Sequence, residues 1–220
     1  MTKGRKSTTK NKIYHDLRRA IITDQYRPAD RLEVDVIAAD FGTSVSPVRD
    51  ALQMLGQEGL VTIRPRAGYF VTHMTLKQLR DLLNLREILE TAAIDRAVKN
   101  ITDNQLNQLA TVHGEYTGED ADAYDRYTDE NRRFHVGLAE ASGNAELAGQ
   151  IGRIMDRLAR FMVLSKSGKI MKSTHDRIVS AIRRKETAAA RKNLIKEIQT
   201  SRRTILDHVM AEEASRWTVP

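Results

Sequence analysis

Asn131 and His135 stand four residues apart, a spacing that puts both on one face of a helix. Tyr124, Tyr127, Phe134 and Leu138 mark that face as the buried one. His175 falls on the stripe of Met171, Ile178 and Ile182, and Glu197 on or beside the stripe of Ala190, Leu194, Ile198, Ser201 and Ile205. A buried imidazole or carboxylate is costly unless it is paired. Three helices that aim such groups inward predict a shared partner. Two imidazoles, one carboxylate and an amide oxygen suit a divalent transition metal (zinc, nickel, manganese or iron), with water or a ligand completing the shell. The competing reading satisfies each group separately, by hydrogen bonds in the core or by solvent at its rim.

A second constellation lies earlier. Ser44, Ser46 and Arg49 sit at or near the start of one helix, and Arg64-Pro65-Arg66-Ala67-Gly68 forms a basic turn. Hydroxyls and backbone amides at a helix start suit phosphates, and an arginine there can reach guanine edges.

These groups need elements to position them. Ile13, Leu17, Ala20 and Ile21 form one helical stripe, Val34, Ile37, Ala38 and Phe41 a second, and Val48, Ala51, Leu52 and Leu55 a third. Gly42 ends the second helix, Ser44 and Ser46 are capping types, and Pro47 suits a first turn. Two short helices around a turn of that length make a helix-turn-helix. Val61-Thr62-Ile63 and Tyr69-Phe70-Val71 flank the basic turn and read as a β-hairpin. The sum is a winged helix, whose third helix enters the major groove of DNA while the wing touches backbone or minor groove.

Beyond this the chain changes character. No proline lies between Arg66 and Val219, and helices are read at 75–99, 102–116, 121–142, 144–166, 170–185 and 187–213. The expected fold class is mainly α: a three-helix winged domain with a β-hairpin, then an all-α antiparallel bundle of about six helices. Residues 1–10 read as a basic disordered tail, 11–73 as the DNA-binding domain, and 75–213 as an effector-binding domain.

Composition narrows the class. The 220 residues carry 36 Lys and Arg against 29 Asp and Glu, a formal charge of +7. Residues 1–74 hold 12 of those cations against 8 acids, so the first third is the more basic per residue. That favours a polyanionic partner. No apolar run is long enough for a membrane span. The absence of cysteine removes thiolate chemistry and leaves a cytoplasmic setting as the expectation.

Asp30-Arg31-Leu32, the run Phe41 to Leu52, Glu58-Gly59-Leu60-Val61 and Arg66 to Val71 resemble the winged-helix domain of the GntR family of bacterial transcription regulators, over about residues 11–72. The resemblance implies DNA contacts at Arg31, Ser44, Ser46, Arg49 and Gly68. The chain departs from it at Val45, where many members carry arginine. Leu85 to Ala93, Asn131-Arg132-Arg133-Phe134-His135, Ser142-Gly143-Asn144 and His175 to Ile182 resemble the FCD ligand-binding domain of the FadR-type branch, over about residues 76–212. Many such domains bind a metal through one aspartate and three histidines. By that likeness His135 and His175 match, Asn131 replaces the aspartate, and Glu197 replaces the last histidine. The resemblance also places Arg86 as an effector-contacting arginine. Residue spacing alone leaves Arg86 equally open to a surface ion pair with Glu90.

The expected function is a metabolite-responsive regulator, more often a repressor, that binds a palindromic operator as a homodimer and senses a small carboxylate. Two other classes compete. A metal-dependent enzyme would use His135, His175 and Glu197, but no separate nucleophile or general base stands beside them. A non-specific nucleic-acid binder would bind every sequence similarly.

Overall fold

Ile13, Leu17 and Ile21 recur at helical spacing and are buried, as are Val48, Ala51, Leu52 and Leu55. In the computed structural model these stripes face one another on helices α1 (Thr9–Ile22) and α3 (Val45–Gln57), with α2 (Val34–Asp40) packed on α3. The structure describes residues 9–112, 121–166 and 171–215. The chain divides into two compact units, Met1–Met74 and Thr75–Pro220.

In the first unit, Gly42 follows α2 at φ +58, and a Cβ there would meet no atom within 4 Å. Glycine serves the left-handed backbone at that turn, not a tight contact. Ser44 then caps α3 in extended conformation. The hairpin is β2 (Val61–Arg64) and β3 (Gly68–Val71), paired antiparallel from Val61↔Val71 to Arg64↔Gly68. A further strand, β1 (Arg31–Leu32), pairs with β3 through Arg31↔Phe70 and Leu32↔Tyr69, giving the order β1-β3-β2. The sequence reading had a hairpin alone. Two residues carry too little pattern to read as a strand, and pairing with β3 creates it. Helix α1 begins at Thr9, so residues 9–10 are helical, not part of a tail. Residues 1–8 lie outside the described residues. Ala20, Val34 and Phe41 are half-buried at the edge of the core.

The second unit holds α4 (Leu76–Asn100), α5 (Asp103–Thr111), α6 (Ala121–Glu140), α7 (Ala145–Leu164), α8 (Met171–Arg183) and α9 (Thr187–Ser215). Its helix starts follow side-chain chemistry. Thr75 Oγ1 accepts from Gln78 N at 3.2 Å while Gln78 Oε1 accepts from Thr75 N at 2.9 Å, and Thr102 with Gln105 repeats the arrangement. Asn144 Oδ1 caps α7 by accepting from Leu147 N. The core joins Ile94, Ala97 and Val98 of α4 to Phe134 and Leu138 of α6, Ile178 and Ile182 of α8, and Leu194 and Ile198 of α9. Each of these side chains larger than alanine contributes about 1.5–3 kcal/mol on full burial, enough to fix which face of each helix points inward. Helix α8 ends at Arg183, two residues before its expected end, and residues 113–116 of the expected 102–116 helix, with the side chains of Tyr124 and Met171, lie outside the described residues.

Candidate DNA-contacting face and buried polar centre

Ser44, Ser46 and Arg49 all lie on the exposed start of α3. Ser44 is the N-cap, yet its hydroxyl makes no capping hydrogen bond. Val45, the departure from the arginine of many members, is half-buried between the two serines. Arg64 and Arg66 are exposed on the hairpin. The Arg64 guanidinium lies 4.6 Å from the centre of the Phe70 ring, a cation–π placement that restrains it. Arg66 takes φ +63 in the turn, and Ala67 N donates to Arg64 O. Strand pairing brings Arg31 to the same hairpin. Gly68 sits at φ +108, and a Cβ on it would lie 3.7 Å from Arg31 Nε, which also pairs with Glu33 at 3.3 Å.

The polar residues of the second unit converge from four helices. α4 supplies Arg86, α6 supplies Asn131 and His135, α8 supplies His175, and α9 supplies Glu197. All five are buried. The ligand-type atoms of His135, His175 and Glu197 all lie within 4.8 Å of one another. The His175 ring stacks on Phe134 at 3.6 Å and 8°, which fixes its plane, and meets His135 edge-on. Asn131 spends its amide N–H on Met162 Sδ at 3.5 Å, and its buried Oδ1 has no hydrogen-bond partner among the described residues.

Arg86 does pair with Glu90, its Nε donating at 2.6 Å, but the pair is buried, so the surface reading of that ion pair is corrected. Its Nη2 donates to His135 Nε2 at 3.1 Å and approaches both Glu197 oxygens at 3.4 and 3.5 Å. An imidazole nitrogen that accepts must leave the proton on the other one. His135 Nδ1–H therefore donates to Glu90 Oε2, at 2.5 Å. Burial alone would raise the Glu90 pKa, but the Arg86 charge and the hydrogen bonds from Arg86 and His135 outweigh it and hold the carboxyl down to about 2. Burial also works against the Arg86 charge, and Glu90 and Glu197 overcome it, so the guanidinium is held more firmly protonated than usual.

Glu90 belongs to this buried centre, whereas the sequence reading gives it only as a surface partner of Arg86. Leu83, Arg86, Glu90, Ala93 and Ala97 are all buried on α4 at helical spacing, and that stripe was there to be read.

The residues fit a divalent ion. Glu90 orients His135 from behind, the carboxylate support that metal-bound histidines usually have. Asn131 Oδ1 is a buried oxygen awaiting a partner. With the imidazoles as neutral ligands, Arg86 leaves one of the two carboxylates, Glu90 and Glu197, uncompensated, and buried charge of that kind favours a cation.

Comparison with known proteins places these sites in context. The family model "Bacterial regulatory proteins, gntR family" matches residues 9–71, and the FCD domain model matches residues 81–199. The HTH-type transcriptional regulator YdhC of Bacillus subtilis (strain 168) is 24% identical over 193 residues, covering 83% of this chain and 84% of its own. The HTH-type transcriptional repressor GlaR of Escherichia coli (strain K12) is 26% identical over 190 residues, covering 80% and 86%. Among solved structures, E. coli McbR/YncC shares the fold at a TM-score of 0.70 and 19% identity, covering 92% of this chain and 99% of that one. Among the described residues no helix is long and apolar enough to cross a membrane.

Proposed function

This chain belongs to the GntR family of bacterial regulatory proteins and carries an FCD domain, and from that premise we propose that it is a cytoplasmic, metabolite-responsive repressor acting on a palindromic operator as a homodimer. Its family and relatives are transcription regulators, not enzymes. The observation that carries the reading is the exposed start of α3, where Ser44, Ser46 and Arg49 all face solvent and the Ser44 hydroxyl makes no capping hydrogen bond. In this reading Arg49 reads a base edge in the major groove, and Ser44 and Ser46 hold phosphate. Arg31, Arg64, Arg66 and Gly68 follow the backbone or minor groove. A single winged module buries too little to be specific, so two copies read two half-sites.

The buried centre is the sensor. His135, His175 and Glu197, with Asn131 Oδ1, would hold zinc, nickel, manganese or iron. When bound, such an ion supplies Lewis-acid attraction for a carboxylate. Arg86 holds the same carboxylate through its planar fork, so the effector is a small organic acid. Effector binding favours one placement of the DNA-binding units over another, and operator affinity changes by that coupling free energy.

Selection from random duplex DNA at physiological salt tests the proposal. Enrichment of one palindrome supports it. Similar affinity for every sequence, falling steeply with salt, would identify a non-specific binder instead.

A further inference from the structure

Arg86 Nη2 touches the atoms a divalent ion would need. It donates to His135 Nε2 at 3.1 Å and lies 3.4 Å from Glu197 Oε2. The imidazole Nε2 has one lone pair, so it cannot serve the guanidinium and an ion together. The guanidinium is planar and rigid, so withdrawing Nη2 turns the whole group and disturbs its Nε bond to Glu90, while the bond of Glu90 to His135 Nδ1 does not depend on Nη2. Arg86 Nη1 is already buried with no hydrogen-bond partner among the described residues.

We propose that Arg86 is the resident cation of this site: its Nη2 holds His135 and Glu197 until a divalent ion claims them, and only then is the guanidinium released to grip a carboxylate. This rests on the metal reading above and adds an order to it. Arg86 competes with the ion and cooperates with the effector. By linkage, ion and carboxylate each tighten the binding of the other. A carboxylate arriving without the ion meets an arginine whose Nε and Nη2 are committed to Glu90, His135 and Glu197, which leaves only Nη1 to receive it.

The test compares zinc affinity of the full-length wild type and Arg86→Lys, by competition with a chromogenic chelator. Lysine keeps the charge beside Glu90, so the electrostatic effect on zinc is retained, but its Nζ ends one bond short of Nη2. The expected result is zinc binding about tenfold tighter in Arg86→Lys, the factor set by losing one charge-assisted hydrogen bond. Equal or weaker binding overturns the role of Arg86. Zinc bound by neither protein overturns the metal reading itself, and the proposal with it. A second measurement on the wild type guards against a variant that does not fold. The side-chain nitrogen resonances of Arg86 should shift when zinc saturates the protein, and their persistence unchanged would equally overturn the proposal.

Discussion

His135 Nδ1 donates to Glu90 Oε2 at 2.5 Å, while Arg86 Nε donates to the other oxygen of the same carboxylate. One side chain on α4 thus sets both the imidazole that faces the buried centre and the guanidinium beside it. Glu90→Gln replaces the acceptor of two donors by a group that accepts on one side and donates on the other. It also leaves Arg86 charged and underpaired in the core. Breaking a buried pair this way costs on the order of 3–5 kcal/mol. Urea unfolding should show a loss of that size, and a loss under ~1 kcal/mol, the range of a surface ion pair, would show that the pair is solvated.

The same carboxylate predicts an acid limb in the stability profile. Its folded-state pKa is depressed, from an ordinary 4.5 to about 2. The native state therefore binds fewer protons than the unfolded chain between those values. The stability it contributes is complete above pH ~4.5 and is lost as pH falls toward ~2. Wild type should weaken across that window more steeply than Glu90→Gln. Parallel profiles would mean that other carboxylates carry the acid transition.

Arg49→Ala separates base reading from phosphate binding on α3. If Arg49 reads a base, operator affinity falls by roughly 1–3 kcal/mol while binding to random DNA hardly changes. Equal loss on both would make Arg49 a phosphate contact.

Gly42→Ala isolates a backbone requirement. The added methyl meets nothing within 4 Å, so its whole cost is the left-handed φ of +58. Thermal unfolding should show about 1–2 kcal/mol of destabilisation. Gly42→Asn should cost less, because asparagine tolerates that conformation. A neutral Gly42→Ala would mean the turn relaxes to another geometry.

The buried polar centre was largely legible because its residues sit on apolar stripes. His135, His175 and Glu197 interrupt Phe134, Ile178 and Ile198 stripes at helical spacing, and periodicity alone turns them inward. Arg86 and Glu90 were harder. At i and i+4 with opposite charge they look like any solvated helix pair, and only the burial of Leu83, Ala93 and Ala97 on the same face says otherwise. The contact of Arg86 with Glu197 spans 111 residues of sequence, a relation no local pattern carries. The same holds for β1: Arg31 and Leu32 become a strand only because Phe70 and Tyr69 come alongside. Arg18, buried near Glu58 at the end of α3, gave no sign of burial in a segment dense with charge.

Elemental analysis of native, untagged protein purified without chelators tests the central claim, that the buried polar centre is built for an ion. The account predicts about one zinc, nickel, manganese or iron per chain, and its loss, with a lower melting temperature, when His135→Ala and His175→Ala are combined. A protein that takes up no metal even after soaking, or a double variant with the same metal content and melting temperature as wild type, would contradict it.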